Sequence, residues 1–175
     1  AKKSFNVNAF DYSLKLAKFV QKKYNIKAFT NFNEIDKKFD VITLYDVLEH
    51  VENPLELLHQ LNNLLKKRGI IVIYTPNKNS LAFDLLGSYS NLCTAPYHLT
   101  YFNSKTISKY LKKKFDILFC KTFGLDLVDI YTYLRDKNNI KPSKKKIKNY
   151  FTYQDTIDKI GYSNHFRLVL KKKLN

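Results

Sequence analysis

Apolar and polar residues alternate over positions 5–10 (FNVNAF), which predicts a short strand that stops at Asp11. Ser13 is placed to cap a helix, and Leu14, Ala17, Val20 and Tyr24 then recur at helical spacing. Residues 26–29 predict another short strand. Positions 39–44 (FDVITL) form an apolar, β-branched run bounded by polar residues, the pattern of a buried strand. Pro54 suits the first turn of a helix with apolar positions Leu55, Leu58, Leu61 and Leu65. That helix is expected to end at Gly69, after Lys66, Lys67 and Arg68, whose charges favour the negative end of the helix dipole. Residues 70–74 (IIVIY) are the most strand-like run of the chain, stopped by Thr75-Pro76-Asn77. An irregular stretch at 78–103 holds one short apolar helix at 81–86, and Ser104 is expected to cap a helix through Leu111. Further strands are expected at 115–123 (FDILFCKTF) and 166–170 (FRLVL), with helix in parts of 131–162.

Strands alternating with helices imply βαβ units, hence one α/β domain with an open, mostly parallel sheet and helices on both faces. The runs 39–44 and 70–74, joined by one amphipathic helix, should be adjacent, parallel and central. In such sheets ligands bind beyond the carboxyl ends of the strands. That rule places Asp11, Asn31, Tyr45-Asp46 and Thr75-Pro76-Asn77 on a ligand-binding rim. The stretch LYDVLEHVENP then sets Asp46, Glu49 and His50 directly behind a buried strand.

Composition narrows the class. At 175 residues, 45% hydrophobic and 15% aromatic, the chain can bury the core of one globular domain. No apolar run reaches the length needed to cross a bilayer. Cys93 and Cys120 lie far apart without paired-ligand spacing, which speaks against a disulfide framework or a zinc site and for a cytoplasmic location. The formal charge of +16 invites a nucleic-acid reading. Two features count against nucleic acid as a partner. The basic residues are almost all lysine rather than arginine, and the chain is rich in Asn, Ile, Tyr and Phe, residues of A/T-rich codons. The charge therefore reads as solvated surface, including a basic exposed segment at 137–149.

Four stretches in order are NVNAFDYS with its following helix, FDVITLYDVLEHVENPLELL, KKRGIIVIYTPN and HLTYFNSKTISKYLKKKFDI. Together they resemble the class I S-adenosylmethionine-dependent methyltransferases. The likeness is to the DVLEH-type branch, which includes ubiquinone-biosynthesis-like and glycan-modifying O-methyltransferases. FRLVLKKK resembles that family's last strand, so the likeness spans the chain apart from 125–163. Its specific part is an apolar strand followed by Asp-x-x-Glu-His-x-x-x-Pro.

The resemblance implies a Rossmann-like sheet in the order 3-2-1-4-5-7-6 and S-adenosyl-L-methionine as cofactor. It implies that Asp11 accepts hydrogen bonds from the cofactor's ribose hydroxyls, the alternative being a helix N-terminal acid stabilised by the dipole. Asn31 and Phe32 fall in the region that meets adenine. Tyr45 follows the strand that contacts the cofactor, or else joins the core. The family opens with a strand and a turn of the form Asp/Glu-x-Gly-x-Gly. Here Gly69, Gly87, Gly124 and Gly161 are scattered, so the match begins at the family's second strand. The expected fold is therefore an N-terminally truncated one, lacking the first strand and glycine-rich loop. Without a turn that lets backbone approach the methionine moiety, the 175 residues are expected to bind the cofactor weakly or not at all.

Asp46, Glu49 and His50 share one face of a helical turn. In relatives resembling ubiquinone-biosynthesis O-methyltransferases such a set can bind magnesium or manganese. The alternative is that Glu49 and His50 buttress the turn before Pro54. His98, in PYHLTYF, is placed to act as a general base or to hydrogen-bond backbone in a buried turn. His98, Asp46 and His50 are thus the candidate catalytic residues, while His59 and His165 read as structural. The implied activity is methyl transfer to an oxygen of a small-molecule or glycan-precursor substrate, with 78–103 covering the substrate side. A non-catalytic methyltransferase-like binding module or subunit is the alternative. Nothing in the sequence signals an oligomeric state.

Overall fold

Ser13 accepts a hydrogen bond from the Leu16 amide and so starts α1 (Leu14–Tyr24), the helix its sequence pattern predicts. The computed structural model describes residues 4–138 and 144–173, apart from the side chains of residues 144–151. It divides into two compact units, Ala1–Lys38 and Phe39–Asn175. In the first, α1 connects β1 (Asn8–Phe10) to β2 (Lys27–Phe29), which pair in parallel with Ala9 opposite Ala28. The predicted strand at 5–10 is realised only over its last three residues. Of the expected apolar stripe on α1, Ala17 is buried, while Leu14 and Tyr24 are exposed.

The second unit runs β3 (Phe39–Tyr45), α2 (Pro54–Asn63), β4 (Leu65–Pro76), α3 (Leu81–Leu86), α4 (Ser104–Leu111) and β5 (Phe115–Phe123). It continues with α5 (Asp126–Asn138), α6 (Lys144–Lys159) and β6 (His165–Lys172). Its sheet has the order β3-β4-β6-β5, with β3 parallel to β4 and β6 antiparallel to both β4 and β5. The two apolar runs are adjacent and parallel as the pattern predicts. Of these two, β4 is interior, but β3 stands at the end of the four-strand order among the described residues and is not central. Ile71, Ile73, Phe166, Leu168 and Leu170 fill the centre of this sheet, each contributing about 1.5–3 kcal/mol of burial.

The lysine-rich segment after α2 departs from expectation. The helix stops at Asn63, and Leu65 to Gly69 belong to β4. Leu65 pairs with Phe39 and is buried, whereas the next register pair is Val41 with Ile70. Lys66, Lys67, Arg68 and Gly69 therefore bulge opposite Asp40 alone. Burying Leu65 against the sheet outweighs the helix-end preference of the three cations. A Cβ on Gly69 would lie 2.9 Å from the Phe39 carbonyl oxygen, so the bulge closes only around glycine. The helix at 104 also starts differently: Asn103, not Ser104, is its cap, accepting from the Lys105 and Thr106 amides. Within the basic segment 137–149, Lys137 and Asn138 end α5, residues 139–143 lie outside the described ones, and α6 begins at Lys144.

The start of α5 is anchored from three sides. Asp126 is fully buried and accepts hydrogen bonds from the Ala82 amide (3.0 Å), the Asn164 amide (2.8 Å) and Gln154 Nε2 (3.1 Å). One carboxylate thus ties α3, α5, α6 and the entry to β6. Asn164, also buried, accepts from the Leu125 amide and donates to Asp129.

Candidate functional site

In the first unit, Asp11 follows β1 and its amide donates to the Phe29 carbonyl, which extends the β1–β2 ladder by one residue. Its Oδ1 accepts from the Ser13 amide at 2.8 Å, holding the carboxylate at the mouth of α1. A carboxylate so placed keeps acceptor capacity for a vicinal diol. Beside it, Phe10 stacks on Phe32 at 4.2 Å, and Tyr12 stands edge-on to both rings. Asn31 spends its side chain locally, accepting from the Asn33 amide to start a 3-10 turn at Phe32–Glu34. Tyr12 and Phe10 were not singled out from sequence. The signal was present in the F-D-Y triplet, where an aromatic flanks the acid on each side.

In the second unit, β3 delivers Tyr45 and Asp46 to the rim. The Asp46 amide continues the ladder to the Tyr74 carbonyl, and its φ of 48° is a left-handed conformation that disfavours side chains with a Cβ branch. That turn separates Asp46 from Glu49 and His50. Its carboxylate lies instead 3.7 Å from His165 Nε2. The His165 ring stacks flat on Tyr74 at 4.6 Å, and its Nδ1 meets Asn164 Oδ1 at 3.1 Å. His165 read as structural in the sequence, yet it reaches the rim because β6 is antiparallel and begins where β4 ends. The Tyr45 ring packs against Tyr74 at 6.2 Å and remains exposed.

Burial pushes the Tyr74 phenol above its usual value, with Asp46 adding to the effect. Burial likewise holds His165 below its usual 6.5, outweighing the opposing pull of Asp46, Asp129 and Asp126, with His98 adding a little. The sign follows directly. The unfolded chain binds a proton to this ring at a pH where the folded chain does not, so folding loses stability as pH falls from 6.5 towards the lowered value. Urea midpoints are expected to fall over that window, and His165→Gln should remove this part of the slope. An unchanged slope in the variant would contradict the assignment.

Glu49, His50 and His98 converge. Glu49 and His50 sit on a 3-10 turn at Leu48–His50, and Glu49 is 1% exposed. Its Oε2 accepts from the Thr75 hydroxyl on β4 at 2.7 Å, while Oε1 is buried without a hydrogen-bond partner among the described residues. Its backbone carbonyl accepts from the Leu99 and Thr100 amides, which draws the segment 92–100 onto the rim. The two imidazoles meet edge to face at 4.7 Å. His50 Nδ1 lies 2.8 Å from the Tyr97 carbonyl oxygen, and His98 Nδ1 lies 2.8 Å from that of Leu92. A carbonyl can only accept, so in each neutral ring the proton sits on Nδ1 and the lone pair on Nε2. Glu49 thus braces the turn through Thr75, and each of the two histidines is held by a backbone carbonyl.

One ligand atom from each of Glu49, His50 and His98 lies within 4.8 Å of the other two. Asp46 is not part of that group. Magnesium, which the sequence reading allowed through Asp46, Glu49 and His50, favours an octahedron of oxygens with retained water. Two imidazoles and one carboxylate do not fit that preference.

A family model described as a methyltransferase domain matches residues 1–114. The chain is 44% identical over 50 residues to the ubiquinone biosynthesis O-methyltransferase of Glaesserella parasuis, a stretch covering 29% of this chain and 21% of that protein. It is 30% identical over 126 residues to that of Rickettsia bellii, covering 69% of this chain and 50% of that protein. The chain thus spans half the length or less of these curated relatives. Among solved structures, it resembles an S-adenosylmethionine-dependent methyltransferase from Clostridium acetobutylicum with a TM-score of 0.60 and 13% identity, covering 99% of this chain and 77% of that one. It also resembles one from Archaeoglobus fulgidus with a TM-score of 0.57 and 20% identity, covering 94% and 75%. At those identities the structural likeness establishes the fold. Among the described residues, no helix is long and apolar enough to cross a membrane.

Proposed function

This chain belongs to the family of methyltransferase domains, and on that premise we propose that it serves S-adenosylmethionine-dependent methyl transfer to an oxygen of a small molecule. The observation that carries the reading is the convergence of Glu49, His50 and His98 behind β3, with both imidazole Nε2 atoms available as bases. Asp11 accepts from the ribose hydroxyls, and the Phe10–Phe32–Tyr12 group offers aromatic faces to adenine. Asn31 shapes the turn that holds Phe32.

His98 takes the proton of the acceptor hydroxyl through Nε2, with the Leu92 carbonyl steadying the imidazolium that forms. The freed oxygen lone pair bonds the methyl carbon in line as the carbon–sulfur bond breaks, leaving a neutral thioether. Residues 78–103 cover the substrate side, held by the pairing of Asn77 with Phe102 and of Leu99 and Thr100 with Glu49. The relatives' printed names point to a ubiquinone precursor as acceptor class, and a phenolic hydroxyl with a pKa of about 10 suits an imidazole base. A glycan precursor rests on the sequence resemblance alone. The unpaired Cys93 and Cys120 favour a cytoplasmic location.

Saturation-transfer NMR with millimolar S-adenosylhomocysteine tests the reading, because it detects weak contact. Transfer to ribose and adenine protons is expected in the wild type. Asp11→Ala should abolish the ribose signals while the melting temperature shifts by only a few degrees. No transfer in the wild type, or ribose signals that survive in Asp11→Ala, would refute the cofactor assignment.

A further inference from the structure

We propose that Asp46 and His165 form a seat for a primary ammonium group of a bound small molecule, apart from the Glu49, His50 and His98 cluster. As a statement about the acceptor, which would then carry an amino group beside its hydroxyl, the inference rests on the methyl-transfer reading. As a binding site it rests on contacts within the second unit alone.

Three observations carry it. The first is that two bare acceptors face each other. The Asn164 amide is oriented by its neighbours: its Nδ2 donates to Asp129 Oδ2 at 2.7 Å, and its Oδ1 accepts from the Leu125 amide at 3.1 Å. Oδ1 can therefore only accept from His165 Nδ1, 3.1 Å away, so the neutral ring has its proton on Nδ1 and a lone pair on Nε2. That lone pair lies 3.7 Å from Asp46 Oδ1, beyond hydrogen-bond range and with no proton between the two atoms. The second is that both groups are held in place. The His165 ring lies flat on Tyr74, with 2° between the ring planes, and the Asp46 amide donates to the Tyr74 carbonyl at 2.9 Å. The third is charge. Among the described residues no lysine or arginine ion-pairs with Asp46, although the chain holds 31 of them. Asp46, Asp129 and Asp126 together pull the His165 ring towards its protonated form, so the field around it is negative in a chain of charge +16.

The number of donors chooses the ligand group. A hydroxyl has one hydrogen and satisfies one of the two acceptors. A primary ammonium has three, and its nitrogen fits about 2.8 Å from both atoms without moving either. A quaternary ammonium carries the charge but no N–H. Water has two hydrogens and takes the same place, yet it lacks the charge that the three carboxylates attract. Tyr45, next to Asp46 in the chain and exposed, brings an aromatic ring that further favours a cation. Asp46 is 55% exposed, so a ligand reaches it from solvent. His98 also acts on the His165 ring, which sets the seat and the proposed base on one rim.

Three matched probes test this: ethanolamine, with a primary ammonium, choline, with a quaternary one, and ethylene glycol, with hydroxyls only. Each is titrated into histidine-labelled protein while long-range proton–nitrogen NMR follows His165 Nε2, assigned through His165→Phe. Ethanolamine is expected to move Nε2 saturably, whereas choline and ethylene glycol at the same concentrations leave it in place. Asp46→Asn should weaken ethanolamine binding roughly 10–100-fold, the loss of one charge-assisted hydrogen bond. Asparagine tolerates the left-handed backbone at this position, so that variant keeps the turn. Asp40→Asn, at the other end of β3 and paired with Lys66, should leave binding within about two-fold. A response to choline equal to that for ethanolamine would mean a general attraction for cations. No response to ethanolamine would mean that water alone fills the gap. Either overturns the proposal, as does unchanged ethanolamine binding in Asp46→Asn. None of these results alters the S-adenosylhomocysteine signals that test the cofactor assignment, so the two readings fail separately.

Discussion

Asp126→Ala is expected to lower the melting temperature by roughly 6–20 °C, the shift that about 3–5 kcal/mol produces in a chain of this size. The carboxylate accepts from the Ala82 amide, the Asn164 amide and Gln154 Nε2, all deep in the second unit. Alanine leaves three donors facing a void, each at about 1–3 kcal/mol. Part of that loss is offset, because burial already raises the Asp126 pKa and so makes its charge expensive. The donors win because they belong to three separate elements, and none can reach water without moving one of them. Thermal unfolding followed by circular dichroism measures the shift. A change under about 2 °C would mean that α3, α5 and β6 are held together by their apolar contacts alone.

Gly124→Ala acts on the same junction from the other side. A Cβ at this position would collide with the Asn164 side-chain oxygen and come within 2.9 Å of the Asn164 backbone nitrogen. Asn164 cannot swing aside: it is buried, and it bonds the Leu125 amide, Asp129 and the His165 ring. Overpacking combined with broken hydrogen bonds is expected to cost about 3 kcal/mol, a fall of roughly 6–12 °C. Since both substitutions disrupt Asn164, the double variant should lose less than the sum of the two single losses. Strict additivity would show that Gly124 and Asp126 act through unrelated contacts.

The strands at the heart of the second unit were readable because their apolar runs are continuous. Phe115–Phe123 is predicted to the residue, and the cores of β4 and β6 lie within their predicted runs. Boundaries set by tertiary contact were not readable. Leu65 looks helical by spacing, and only its pairing with Phe39 places it in a strand. The same holds at the site. Glu49 and His50 stood out because they follow a strand, and His98 because it lies in the covering segment. That these three meet, while Asp46 goes to His165, depends on a backbone turn at one residue and on the antiparallel entry of β6. Neither leaves a periodic trace in a single sequence. Asp126 was missed for a similar reason, as an acid in the first turn of a helix usually marks the dipole and not a buried junction.

The bulge opposite Asp40 has a consequence for how this fold can vary. Lys66 to Gly69 are absorbed between two fixed register pairs, Phe39 with Leu65 and Val41 with Ile70. Length added or removed in that lysine-rich excursion need not propagate into the strand. Ile70 onward would keep its place, and with it the delivery of Tyr74 and Thr75 to the site. The joint between α2 and β4 is thus a natural point for insertions and deletions among relatives, placed one strand-length away from the chemistry. Drift in chain length there can accumulate while the distance from Thr75 to Glu49 stays constant.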